Sequence, residues 1–302
     1  MKEYFLPTNV WILSKGRPVN MSSRLFSKWG IDHTIFVEPQ DEEAYRAVLL
    51  PHAHLHILPQ NNGGIGFVRN QMLETARSLG NVPYWMCDDD VENIWPSHVV
   101  RGKYVRKLKG GSAVDAMDHV ERECLAHPEI AFGAPAHIGN IWTQSTTNTK
   151  IDYTSFFINW IHPGRIHPEL RWIGHGSEDV LFAGQMVMTG GRLAWILGTG
   201  VEVAPIGFSP GAGGMAEYYQ KWDEKVVPAC QRMETHIERF RSFILQRLPP
   251  GKERDSVGRM KLVRWFKPTW ARGGDYNIPR WSALRKLRLI ADRHGIYMTP
   301  SS

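Results

Sequence analysis

The sequence predicts an α/β fold, with a mostly parallel sheet, flanking helices and a C-terminal helical and basic extension. Three observations predict it. Short apolar runs bounded by turn residues alternate with stretches of helical spacing along the first part of the chain. A hydrophobic run, Tyr84-Trp85-Met86-Cys87, ends abruptly in the acidic triplet Asp88-Asp89-Asp90. Pro249-Pro250-Gly251 then sets off a cation-rich segment near the C-terminus. Alternating strands and helices build parallel sheets, and such sheets bind ligands beyond the carboxyl ends of their strands. The triplet is therefore where a site is expected.

Asn9-Val10-Trp11-Ile12-Leu13-Ser14 reads as a buried strand, and Lys15-Gly16-Arg17-Pro18 turns the chain into a helix from about Ser22 to Trp29. His33-Thr34-Ile35-Phe36-Val37-Glu38-Pro39 repeats the strand. Asp41-Glu42-Glu43 then places acids in the first turn of a helix, where the dipole favours them. Leu55-His56-Ile57-Leu58 is a short third strand. Gly63-Gly64-Ile65-Gly66 introduces a helix from Phe67 to Leu79, with Val68, Met72, Leu73 and Ala76 on one face. Val82 to Cys87 is the fourth strand.

A helix over Ser112 to His127 and a strand over Ile130 to Pro135 follow, while residues 141–175 read as strands and loops. Residues 178–188 form a helix, Leu193 to Leu197 and Gly200 to Ala204 two strands, and Ser209 to Gly214 a loop. Helix returns from Met215 to Leu248. The expected organisation is one α/β domain over 1–214 and a helical, basic region over 215–302 packed on it.

With 302 residues, 42% of them apolar, the chain is large enough for a sizeable core. No apolar run approaches the roughly 18 residues that span a bilayer, and the first residues lack the apolar segment of a signal peptide, so a cytoplasmic enzyme is expected. Cys87, Cys124 and Cys230 are too scattered for a disulfide framework or a CxxC zinc site. His52, His54 and His56 alternate as on one face of a short strand, which reads as a polar face rather than a metal site. The net charge of +6 is unevenly placed: twelve basic residues against four acidic ones give residues 252–293 a charge of +8.

Departure of a nucleoside diphosphate requires charge neutralisation, and hard cations such as Mn2+ or Mg2+ choose carboxylate oxygens. Aspartates at a strand end supply them; acids decorating a helix N-terminus give the bland alternative. A second acidic constellation, Gly174-His175-Gly176-Ser177-Glu178-Asp179, places two carboxylates at a helix start, where one could take a proton from an attacking hydroxyl. An N-cap followed by first-turn acids gives the same string without catalysis.

Taken in order, Ser-Lys-Gly-Arg after the first strand, Glu-Pro after the second, Gly-Ile-Gly-Phe-Val-Arg-Asn, Asp-Asp-Asp and Gly-Ser-Glu-Asp resemble GT-A fold glycosyltransferases over roughly residues 8 to 210. The nearest likeness is to the TET-associated glycosyltransferases of tailed phages, which decorate hydroxymethylated pyrimidines in DNA. The Gly-Ser-Glu-Asp stretch is also similar to the Gly-Gly-Glu-Asp of β-1,4-galactosyltransferases, in which the aspartate is the base.

The resemblance implies that residues 1–214 are a Rossmann-like GT-A domain, binding a nucleotide-sugar and carrying catalysis, with a UDP-sugar as donor. It makes Asp88 and Asp90 the metal pair, with Asp90 the direct ligand and Asp88 or Asp89 nearer the sugar and ribose. It puts Ser14, Lys15, Arg17 and Glu38 beside the nucleotide, and Glu178 and Asp179 at the catalytic helix with Asp179 as base. Arg69 and Asn70 match the Arg-Asn after the glycine turn, where a guanidinium bridges pyrophosphate oxygens; a helix-surface arginine is the alternative. The chain departs from many relatives in having Gly207-Phe208-Ser209-Pro210-Gly211 where they place a third metal ligand, often His. Water, a distant side chain such as His236, or weaker metal binding would account for that.

The C-terminal segment interleaves cations with aromatics, as in Arg264-Trp265-Phe266-Lys267-Pro268-Thr269-Trp270, which suits phosphates and stacked bases. An anionic membrane or a solvated face fits the same composition. An enzyme acting on a base within duplex DNA must expose it, and Trp142, Trp160, Trp265 and Trp270 are candidate wedges. The expected acceptor is DNA containing hydroxymethylated pyrimidines. A surface polysaccharide or glycolipid acceptor, or a DNA-binding protein with a decayed sugar site, are the rival readings.

Overall fold

The computed structural model describes residues 7, 9–100, 103–107, 111–137, 149–151, 157–172, 178–204 and, near the C-terminus, 288–289, 291–293, 295 and 297. The parallel half of the sheet comprises β1 (Val10–Leu13), β2 (His33–Val37), β3 (Ala53–Ile57) and β4 (Tyr84–Asp88), linked by α1 (Met21–Lys28), α2 (Glu42–Arg46) and α3 (Ile65–Ser78). β5 (Val91–Val100), β6 (Lys103–Lys107), α4 (Ala113–Ala126), β7 (Ile130–His137), β8 (Thr149–Ile151), β9 (Ile158–Ile161), α5 (Glu178–Met188) and β10 (Arg192–Val203) follow. The strand order is β3-β2-β1-β4-β9-β7-β10-β5-β6, with β8 paired to β10.

Strands β1, β2, β3 and β4 pair in parallel, as do β7 and β10. Antiparallel pairing enters where β9 inserts between β4 and β7, and where β5 joins β10. This is the α/β architecture the sequence predicts.

The apolar strands are buried on both faces, and their period of two divides the core. Trp11, Tyr84 and Met86 join the cluster beneath α3 and α5, whereas Val10, Ile12, Trp85 and Cys87 join the one containing Leu25 and Phe26 of α1 and Met117 and Val120 of α4. Such two-sided burial is why these strands read as continuous apolar runs rather than alternating ones. Cys87 and Cys124 are free thiols inside this core. Trp160 lies in the same core at 2% exposure, so burial removes it from the candidate wedges.

Helix starts follow local chemistry. The Asn20 side chain accepts from Ser23 N to cap α1, and Ser112 forms a reciprocal capping box with Asp115 on α4. The two strands expected over 193–204 are one strand, β10. Gly198 takes φ +93°, and the pairing with β7 shifts register between Ile196 and Gly200, so the strand continues through what reads in sequence as a break. His52 precedes β3 with φ +66° and bonds Asp32 at 2.9 Å, while His56 stacks on Phe36.

In the C-terminal region, Arg288, Leu289, Ala291, Asp292 and Arg293 are helical. Ala291 belongs to the core cluster under α3 and α5, and the buried Arg288 guanidinium donates to the carbonyls of Val187 and Gly191. The expected 209–214 loop, the 215–248 helix, His236 and the tryptophans at 142, 265 and 270 lie outside the described residues. Among the described residues no helix is long and apolar enough to cross a membrane.

Candidate functional site

The strand order reverses at β1: the chain moves outward through β2 and β3, then returns to add β4 on the other side. In an open α/β sheet that reversal opens a crevice outside the carboxyl ends of the two strands. Ser14 directly follows β1, the acidic triplet begins at the last residue of β4, and register pairs Leu13 with Asp88. The two expected elements of the site are therefore neighbours.

The triplet's backbone is pinned from two sides. Asp89 O accepts from Met21 N at 3.1 Å and Asp88 O from Ser22 Oγ at 2.5 Å, while that same hydroxyl accepts from Val91 N at 3.0 Å. On the other flank Ala204 N, at the end of β10, donates to Asp90 O at 3.0 Å. The first turn of α1 thus holds the acids in place. Nothing in the sequence singled out Ser22 for this.

The three carboxyls meet different partners. Asp89 accepts from Ser14 Oγ at 2.7 Å and from Arg17 Nη1 at 2.8 Å, tying the loop after β1 to the end of β4. Asp88 faces Arg69 Nη2 at 3.4 Å. Asp90 Oδ1 is buried without a hydrogen-bond partner among the described residues. Burial raises all three above the ordinary carboxylate range; Arg69 opposes this at Asp88 and Arg17 at Asp89, whereas Asp89's charge adds to it at Asp90, which is pushed up to about 6. Three partly buried acids on successive residues call for positive charge.

Arg69 supplies part of it. Its side chain is 3% exposed and donates from Nη1 to Glu178 Oε1 at 2.7 Å as well as facing Asp88. The charges of Glu178, Asp88 and Asp179 all favour its protonated form. The helix-surface reading of Arg69 is thereby corrected: α3 turns it inward, because Arg69 falls on the same face as Met72, Leu73 and Ala76. Asn70 lies beside it with both ends of its amide engaged, donating to Trp172 O at 2.8 Å and accepting from Trp172 N at 2.9 Å. That pairing fixes Trp172, six residues before the start of α5, whose first turn carries Glu178 and Asp179.

At the ends of β1 and β2, Lys15 Nζ reaches Glu38 Oε2 at 2.7 Å and Asn62 Oδ1 at 2.8 Å, and Gln40 Nε2 donates to Glu38 at 2.8 Å. Tyr45 Oη lies 2.6 Å from Ser14 Oγ and accepts from Arg17 N at 3.0 Å; burial pushes it up to about 12. Asp41 accepts from Gly16 N at 3.0 Å. Sequence reasoning found Ser14, Lys15, Arg17 and Glu38 but missed Gln40, Asp41, Tyr45 and Asn62, which come from the loops and short helix beyond β2 and β3. No local motif marks them.

Among the described residues no group of three or more His, Cys, Asp or Glu is arranged to hold a metal ion. Two carboxylates suffice for a cation that keeps waters and takes substrate phosphates as its other ligands. The buried, unpartnered Asp90 Oδ1 fits such a role. The segment in which relatives place a third ligand lies outside the described residues.

A model of the family described as TET-associated glycosyltransferase matches residues 8–195. Among solved structures, S. aureus TarS 1-349 is similar at 14% identity over 96% of this chain and 92% of that chain, with a TM-score of 0.36, a likeness too loose to carry a function. No curated protein matches.

Proposed function

The chain belongs to the TET-associated glycosyltransferase family and is a glycosyltransferase; from that premise we propose that it moves a sugar from a UDP-sugar to the hydroxymethyl group of a modified pyrimidine in DNA, with inversion at the anomeric carbon. The observation that carries the reading is Arg69, which contacts both Asp88 and Glu178 and so joins the acid triplet to the Glu178-Asp179 helix start in one crevice. A donor site and a base are needed within reach of one anomeric carbon. Two acidic motifs far apart in sequence meet that need.

In this reading Ser14, Lys15, Arg17 and Glu38 border the nucleotide. Asp89, already bonded to Ser14 and Arg17, holds that loop against the strand end. Asp88 and Asp90 would hold Mn2+ or Mg2+, which when bound would supply charge to neutralise the departing diphosphate. Asp179 takes the proton from the acceptor hydroxyl as its oxygen bonds to the anomeric carbon and the bond to the diphosphate breaks. Glu178, held by Arg69, fixes the helix start beside it.

Asp179→Asn keeps the shape and removes the base, so kcat is expected to fall about 100-fold or more while donor binding persists. Turnover within a few fold of wild type would remove Asp179 from the mechanism. A product with the donor's anomeric configuration would overturn inversion.

A further inference from the structure

The strand leaving the acid triplet carries a second feature. From Asn93 to Val114 the chain has no Asp or Glu, yet it contains Arg101, Lys103, Arg106, Lys107 and Lys109. β5 pairs with β10 only from Val91 to Pro96; from Ser97 to Val100 it pairs with β6, forming a two-stranded ribbon. β6 ends the strand order among the described residues.

The register of this ribbon matters. Val100 pairs with Lys103 and Val99 with Tyr104, but His98 pairs with Arg106 and Ser97 with Lys107, so Val105 is passed over at the register shift. Residues opposite one another share a face, and alternate residues along β5 share a face. Lys103 and Arg106, three apart in sequence, would fall on opposite faces of a regular strand. The shift brings them onto one face with His98. Bulges commonly re-aim residues in this way.

The ribbon is also continuous with the site, because β5 starts one residue after Asp90. Residues 97–100 lie seven to ten positions beyond Asp90, roughly 20–35 Å along an extended strand. One DNA strand advances about 3.4 Å per phosphate, so this reach corresponds to about six to ten base pairs. A small acceptor cannot touch both places. An extended polyanion can, and the major groove of duplex DNA admits a two-stranded β-ribbon.

We propose that the β5-β6 ribbon is a docking element for the duplex DNA acceptor, its Lys103 and Arg106 binding phosphates several base pairs from the nucleotide being modified. This rests on the DNA-acceptor reading above and adds where the duplex lies. Cations on an edge strand can instead simply discourage strand-to-strand association. The two roles separate experimentally.

The test measures binding of the full chain to a 30-base-pair duplex across a range of salt concentrations, for wild type and for Lys103→Gln/Arg106→Gln. The double variant is expected to bind on the order of tenfold more weakly, with the slope of log K against log salt reduced by about 2. The charge-preserving Lys103→Arg/Arg106→Lys chain should retain both, and thermal unfolding of each variant shows that the fold persists. Unchanged affinity and slope in the double Gln variant, with wild type retained on DNA, would overturn the ribbon proposal and leave the acceptor reading standing. So would self-association of that variant without loss of DNA binding. Wild type that ignores DNA but pellets with anionic phospholipid vesicles would overturn both.

Discussion

Arg69 is the residue on which the site turns. A buried guanidinium held between Glu178 and Asp88 compensates two carboxylates that would otherwise repel, and removing one partner of a buried ionic cluster costs about 3–5 kcal/mol. Arg69→Met is therefore expected to lower the unfolding free energy by about that amount and turnover by two orders of magnitude or more. Arg69→Lys keeps the charge but not the fork, and should fall between. Wild-type kcat in the Met variant would detach Arg69 from function. Glu121 gives a separate residue-scale expectation. It accepts from Trp85 Nε1 at 2.5 Å in the core, and burial pushes it up to about 7 from an ordinary 4.5. Below 4.5 the carboxyl is protonated in folded and unfolded chains alike and has no effect. As pH rises towards 7 the unfolded chain ionises first, so this group lowers stability progressively, by about 3 kcal/mol once both forms are ionised. Glu121→Gln can still accept from Trp85 and should melt near wild type at pH 4.5 and several degrees above it at pH 8. A difference independent of pH would show that Glu121 does not titrate in this way.

At the scale of elements, the strands and helices up to Asp88 were legible because each has a single period and a turn signal at its end. The helix at Glu178–Met188 was equally plain. β10 was not, because Gly198 resembles a stop while the strand absorbs it as a register shift. Nor was β5 legible as a ten-residue strand, since Val91-Glu92-Asn93-Ile94-Trp95-Pro96 follows the acids with a proline inside it. The docking of α4 on β7 depends on another glycine. A Cβ at Gly133 would lie 2.1 Å from Cys124 Sγ. Gly133→Ala should destabilise by about 1–3 kcal/mol through overpacking, and Cys124→Ala in the same chain should recover most of it, as read by denaturant unfolding. Simple additivity of the two substitutions would mean that the contact is not what limits that position.

For the whole molecule, the sequence located both acidic motifs but could not say that one arginine joins them. Arg69 was read as a pyrophosphate-bridging arginine or a helix-surface one, not as the link between the acids, and the crevice exists only because strand order reverses at β1. Tyr45, Ser22, Asp41 and Asn62 were invisible for the same reason: each comes from a different loop or helix, and only the assembled fold brings it to the site. The basic C-terminal segment was read as one surface. Arg288 instead turns inward, donating to carbonyls at the end of α5 and the turn beyond it, so its charge belongs to packing. The positive charge along β5-β6 was overlooked because it is spread over a hairpin that sequence alone did not pair. The acceptor is tested most directly by incubating the full chain with Mn2+, a panel of UDP-sugars, and duplex DNA with and without hydroxymethylated pyrimidines, then digesting the DNA to nucleosides for mass spectrometry. One sugar mass on the hydroxymethylated pyrimidine alone, abolished by chelation of the metal, is the expected result. Hydrolysis of a donor with no sugar mass on any nucleoside would contradict it.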